Sequence, residues 1–95
     1  MRMYKQKLDI IPEQIIQLPI YKKEKEDIEI KELFVQNDLP HIWFLTNCSK
    51  TMKVKFYCFM TGEDIPENIK CNEYVGSCIM KNNMVIHLFM ERLYE

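Results

Sequence analysis

Residues 27–46 read D-I-E-I-K-E-L-F-V-Q-N-D-L-P-H-I-W-F-L-T, and they predict two antiparallel strands joined at Asn37-Asp38. Ile28 and Ile30, then Leu33 and Val35, point to one side of the first strand. The step from Ile30 to Leu33 is odd, however, and a side-chain period of two absorbs an odd step only by adding a residue. A bulge is therefore expected at Lys31-Glu32. Asn and Asp both tolerate the positive φ that tight hairpin turns require. The return strand, residues 41–46, carries the single tryptophan and is nearly all apolar, so it should be central and covered on both faces.

Working outward, 95 residues support one domain, residues 1–95, whose core is only just sufficient. Apolar residues make up 47% and charged residues 28%, the balance of an ordinary globular chain. No apolar run approaches the roughly 20 residues of a membrane helix. Residues 1–7 are basic with no apolar core behind them, so neither a signal peptide nor a membrane partner is expected, and the cytoplasm is the expected compartment. The net charge of −1 disfavours nucleic acid, whose affinity comes largely from phosphate neutralisation. The dense run at residues 22–27 alternates in sign and reads as a solvated loop. Cys48, Cys58, Cys71 and Cys78 lack the C-x-x-C spacing of a zinc or redox site, so reduced structural thiols are expected.

Residues 3–11 predict a first strand that Pro12 ends. Residues 13–18 predict a short strand closed by Pro19, with a helical turn over residues 12–18, and hence an α+β domain, as the alternative. Residues 47–51 are turn-like, residues 52–60 alternate and then become wholly apolar, and residues 61–68 are an irregular connection. Residues 73–81 and 84–91 are strands joined tightly at Asn82-Asn83. About six or seven short strands without a helical period predict an all-β fold: a small antiparallel β-sandwich or partly open barrel.

No constellation of residues supports catalysis. His41 reads as a strand-end surface histidine, and His87 as a buried one bonded to backbone. Glu63 and Asp64 read as solvated turn carboxylates. Ser49 and Ser77 lack a nucleophile elbow, and no glycine loop suits phosphate. No metal and no cofactor is expected. The aromatics are too many for one small core, and alternation turns Phe34 and Tyr57 away from the side that takes Leu33, Val35 and Phe56. Phe34, His41, Trp43 and Tyr57 are the expected binding residues.

Several short stretches carry a resemblance. They are Gln36-Asn37 with Pro40 and Trp43, Thr61-Gly62 with Ile65-Pro66, Tyr74-Val75-Gly76, and His87-Leu88-Phe89. With residues 4–8 and 14–19, they make the chain resemble a family of short all-β proteins of unknown function found mainly in bacteriophages and prophages. The chain departs from that pattern at Asp38, where a glycine is usual, at Asn82-Asn83, where a glycine pair is usual, and in the charged insertion at residues 22–27. The resemblance implies a phage origin and a compact β fold, and no activity.

The expectation is thus a phage accessory protein that acts by binding in the host cytoplasm. It would inhibit an antiviral defence component, either by engaging a host protein or by sequestering a nucleotide-like signal, with a homo-oligomer formed through a sheet face or edge as a further expectation. A structural or assembly role in the virion is the alternative. A small hydrolase working through His41 or His87 is the third reading.

Overall fold

The computed structural model describes residues 2–20, 29–46, 50–70 and 72–93. Seven strands and one helical turn follow in order: β1 (Arg2–Lys7), β2 (Glu13–Ile20), β3 (Glu29–Gln36), β4 (Leu39–Thr46), β5 (Lys50–Met60), α1 (Glu67–Lys70), β6 (Glu73–Ile79) and β7 (Val85–Leu93). They form two antiparallel sheets, ordered β1-β4-β3 and β2-β5-β7-β6. The fold is the all-β antiparallel sandwich that the strand spacing predicts. Cys48, Cys71 and the charged run at residues 22–27 lie outside the described residues.

Alternation sorts each strand between core and outer face. Ile42 and Phe44 of β4 and Leu8 meet Leu18 of β2, Val54 and Phe56 of β5, and Ile86, Leu88 and Met90 of β7, all fully or almost fully buried. Deleting the Phe56 ring would cost about 3–5 kcal/mol by loss of transfer energy and creation of a cavity. Cys58 and Cys78 are free thiols on these inner faces, and burial raises the pKa of both.

The bulge lies where the odd step demands it. Ile30 pairs with Phe44 and Glu32 with Trp43, so Lys31 is the extra residue. Asn37 and Asp38 take φ of 53° and 61°, as a two-residue type I′ turn requires. A second bulge leaves Val75 unpaired between Tyr74 and Gly76. Gly76 takes φ of 152°, which side chains rarely adopt, and a Cβ there would sit 3.9 Å from that of Leu33. The β6 edge of one sheet thus meets the β3 edge of the other.

Other boundaries differ from expectation. β1 stops at Lys7 because the chain turns inward at Leu8, whose N–H donates to the Pro40 carbonyl at 2.9 Å. Pro19 lies within β2 rather than closing it, which is tolerated because β2 is an edge strand. Residues 12–18 form no helix. The second hairpin is a three-residue loop, residues 81–83, in which Met80 N–H donates to Met84 (2.7 Å), Asn83 N–H donates to Met80 (2.9 Å), and Asn83 has φ of 66°. β4 is central in its sheet, but only its inner face is wholly covered, since Trp43 and Leu45 are half-buried.

Asp38 holds a left-handed conformation that glycine adopts without cost, and its ion pair with Lys81 is long (3.9 Å) and exposed. Asp38→Gly should therefore stabilise the fold by about 1 kcal/mol, read as a higher urea midpoint at unchanged slope.

Candidate functional site

The β1–β4–β3 register sets one row of side chains on the outer face of the three-stranded sheet. Lys5 lies opposite Trp43, Lys7 opposite His41, and Phe34 opposite His41 from the other side. Phe34 stacks on Trp43 at a centroid distance of 5.4 Å with 16° between planes, and on His41 at 5.4 Å and 30°. The Lys5 ammonium lies 5.8 Å from the centre of a Trp43 ring and donates to Gln36 Oε1 at 2.9 Å, spanning the sheet from β1 to β3. Stacked rings contribute about 0.5–1.5 kcal/mol each beyond their buried area, and an exposed cation–π contact about 0.5–1 kcal/mol.

His41 is buried (6% exposed), contrary to the strand-end surface position expected for it. The reason is its central strand: Phe34 covers its ring, and its Nδ1 bonds the Leu39 carbonyl at 2.9 Å. A carbonyl only accepts, so Nδ1 carries the proton. Among the described residues, neither Lys5 nor Lys7 has a carboxylate within ion-pair distance.

Tyr57, the fourth expected binding residue, does not join this group. It lies on the outer face of the other sheet, where it is 6% exposed and clustered with Phe59, Phe89 and Ile69 of α1. Its hydroxyl donates to Glu91 at 2.9 Å, and Lys55, paired with Glu13 at 3.4 Å, lies 5.2 Å from its ring centre. Each polar group of this cluster is therefore answered by another. Burial first, then the hydrogen bond to Glu91, raises the phenol pKa above its usual value.

On the same face, His87 is partly exposed and bonded to side chains, where a buried, backbone-bonded histidine was expected. Its Nε2 lies 2.8 Å from Thr61 Oγ1 and its Nδ1 lies 3.1 Å from the half-exposed Tyr74 hydroxyl. Residue types alone gave no sign of this trio, because it depends on the β6–β7 register and the Val75 bulge. His41 and His87 occupy outer faces of opposite sheets, with the core between them, and so share no site.

Among the described residues, no group of three or more His, Cys, Asp or Glu is placed to hold a metal ion. No helix among them is long and apolar enough to cross a membrane. Two shallow depressions flank the Lys81–Asn83 loop, lined by Ile10, Met80 and Met84 on one side and by Met60, Thr61 and Glu63 on the other.

The fold and these faces define a small two-sheet β-sandwich whose three-stranded sheet presents stacked rings beside Lys5 and Lys7, neither ion-paired among the described residues. The chain belongs to the DUF7352 family, a domain of unknown function, whose match covers residues 1–94. No curated protein and no solved structure matches it.

A raised tyrosine pKa means that the folded state favours the neutral phenol, so its stabilising contribution is full below the ordinary value of 10 and is lost as pH rises through the raised value. In an ultraviolet absorbance titration, Tyr57 should ionise above that ordinary value. Tyr57→Phe should remove this late component and lessen the loss of stability in alkali.

Proposed function

We propose that the chain is a phage-encoded accessory protein that acts by binding, with the outer face of the three-stranded sheet as its contact surface. Its role is to inhibit a bacterial antiviral defence component in the host cytoplasm, through a host protein or a nucleotide-like signal. The observation that carries this reading is the Phe34–Trp43 stack with Lys5 over it and Lys7 beside it. Stacked rings beside Lys5 and Lys7, neither of which has a carboxylate within ion-pair distance among the described residues, gain most from a complement that supplies ring or apolar area together with negative charge. Bond-making chemistry has less support. His41 is buried under Phe34, and the partners of His87 among the described residues are the hydroxyls of Thr61 and Tyr74.

A second reading, self-association as a small virion or assembly component, is favoured by the exposed Ile79 (65%) and Tyr74 (52%) on the β6 edge. It predicts the protein in purified particles.

The primary reading is tested by plating phage on defended hosts with the chain supplied in trans. Trp43→Ala and the surface change Lys7→Glu should each abolish rescue, because truncating an anchor of this kind costs about 2 kcal/mol, or roughly thirtyfold in affinity. Tyr57→Phe should rescue fully. Rescue by Lys7→Glu and Trp43→Ala at the level of the unaltered chain would remove this face from the function.

A further inference from the structure

We infer that the outer face of the three-stranded sheet pairs with a second copy of itself, about a two-fold axis that runs along β4 through Trp43. This goes beyond the binding reading and does not rest on it. The register supplies the observation. Lys5 and Glu32 both lie directly opposite Trp43, one on β1 and the other on β3. Residues directly opposite one another share a side of the sheet, so the three form one row across the outer face: cation, indole, carboxylate. Lys5, Lys7 and Glu32 are exposed, and none of them makes an ion pair among the described residues. Glu29, the other acid of this face, is taken by Lys31 at 2.7 Å.

Such a row is its own complement under one operator. In a two-fold pair, whatever a residue meets on the second copy meets that residue in return. Sheets that pack face to face sit about 10 Å apart with strands within about 30° of alignment. An axis across the strands would set Lys5 over Lys5 and Glu32 over Glu32, which repels. The axis along β4 instead sets Lys5 over Glu32 of the second copy, twice. It also brings Lys7 over Phe34, and Met3 over the neutral Glu29–Lys31 pair. Lys5 need not leave Gln36 or the indole to do this, since an ammonium has three donors. Trp43 and Leu45 are half-buried and Met3 is 51% exposed, so apolar area lies between the two ion pairs. The four-stranded sheet has no such row, because Lys55 pairs with Glu13 and Arg92 with Glu73 inside one chain.

The face is small. Its three strands, of six, eight and eight residues, present roughly 400 Å² per copy at about 4.8 Å between strands and 3.4 Å per residue. That is the low end for specific association, so the dimer is weak and reversible. Below its dissociation constant the face is open to a different partner. The two-fold contact also closes on itself, so no third copy adds.

Sedimentation equilibrium of the full chain from about 5 µM to about 1 mM should show monomer and dimer alone, half converted on the order of 100 µM. Trp43 is the single tryptophan, and its emission should shift to the blue over the same range. Raising salt from about 50 to about 500 mM should weaken the dimer, because its ion pairs are screened. Lys5→Glu and Glu32→Lys should each weaken it at least about tenfold, since each sets two like-charge pairs across the axis. The double variant should return to within about threefold of the unaltered chain. A chain still monomeric at about 1 mM, a dimer strengthened by salt, or a double variant no tighter than the singles would each overturn the inference. So would a dimer indifferent to both reversals and silent in Trp43 emission, the behaviour expected of pairing through the β6 edge. Plating reads a different partner. A monomeric chain whose Lys7→Glu variant loses rescue removes the second copy and leaves the face; a dimer with full rescue by Lys7→Glu removes the host target and leaves the dimer.

Discussion

One extra residue, Lys31, decides which side of β3 faces the core. Upstream of it, Ile30 points inward opposite Phe44; downstream, Leu33 and Val35 do the same opposite Ile42 and Pro40. Without the bulge, the period of two would turn Leu33 and Val35 outward and drive Phe34 into the inter-sheet space. The core would lose two aliphatic side chains at the seam where β3 meets β6, and the outer face would lose the ring that stacks on both Trp43 and His41. The sandwich and its aromatic surface therefore depend on the same local irregularity. Bulges also bend and twist a strand, which suits β3 to the corner where Leu33 approaches Gly76.

The two outer faces of the sandwich show how similar residue types reach different ends. Each carries aromatic side chains, a histidine and lysines. On the four-stranded sheet, α1 lays Ile69 against Tyr57 and Phe59, and the charges cancel in local pairs. That arrangement closes a surface and adds a second, smaller core to a chain whose main core is limited by its size. On the three-stranded sheet no described element covers the rings, and the cation above Trp43 answers to a neutral amide. Composition does not distinguish these cases; the pairing of charges does.

What the sequence discloses follows from the range of each interaction. The Asn37-Asp38 turn is legible because it needs positive φ at adjacent positions and those residue types tolerate it. The odd step at Lys31 is legible because periodicity is a local property. The outward direction of Phe34 and Tyr57 is legible for the same reason. Whether an outward side chain is then covered depends on strands far away in the chain. Thus His41 and His87 exchange their expected environments: the first is roofed by Phe34, while the second reaches out to Thr61 and Tyr74. Phe34 and Tyr57 both point outward, but from different sheets. The Val75 bulge and the three-residue loop at 81–83 also escape a local reading, since each is defined by register against β7.

Pro19 has a consequence for the molecule's life at high concentration. A proline nitrogen has no hydrogen, so the free margin of β2 lacks a donor at the point where an incoming strand would need one. Stacking of identical chains margin to margin is interrupted there, and extended aggregates cannot grow from that rim by continuous backbone pairing. The β2 rim of the four-stranded sheet is thereby a poor template for a second copy of itself.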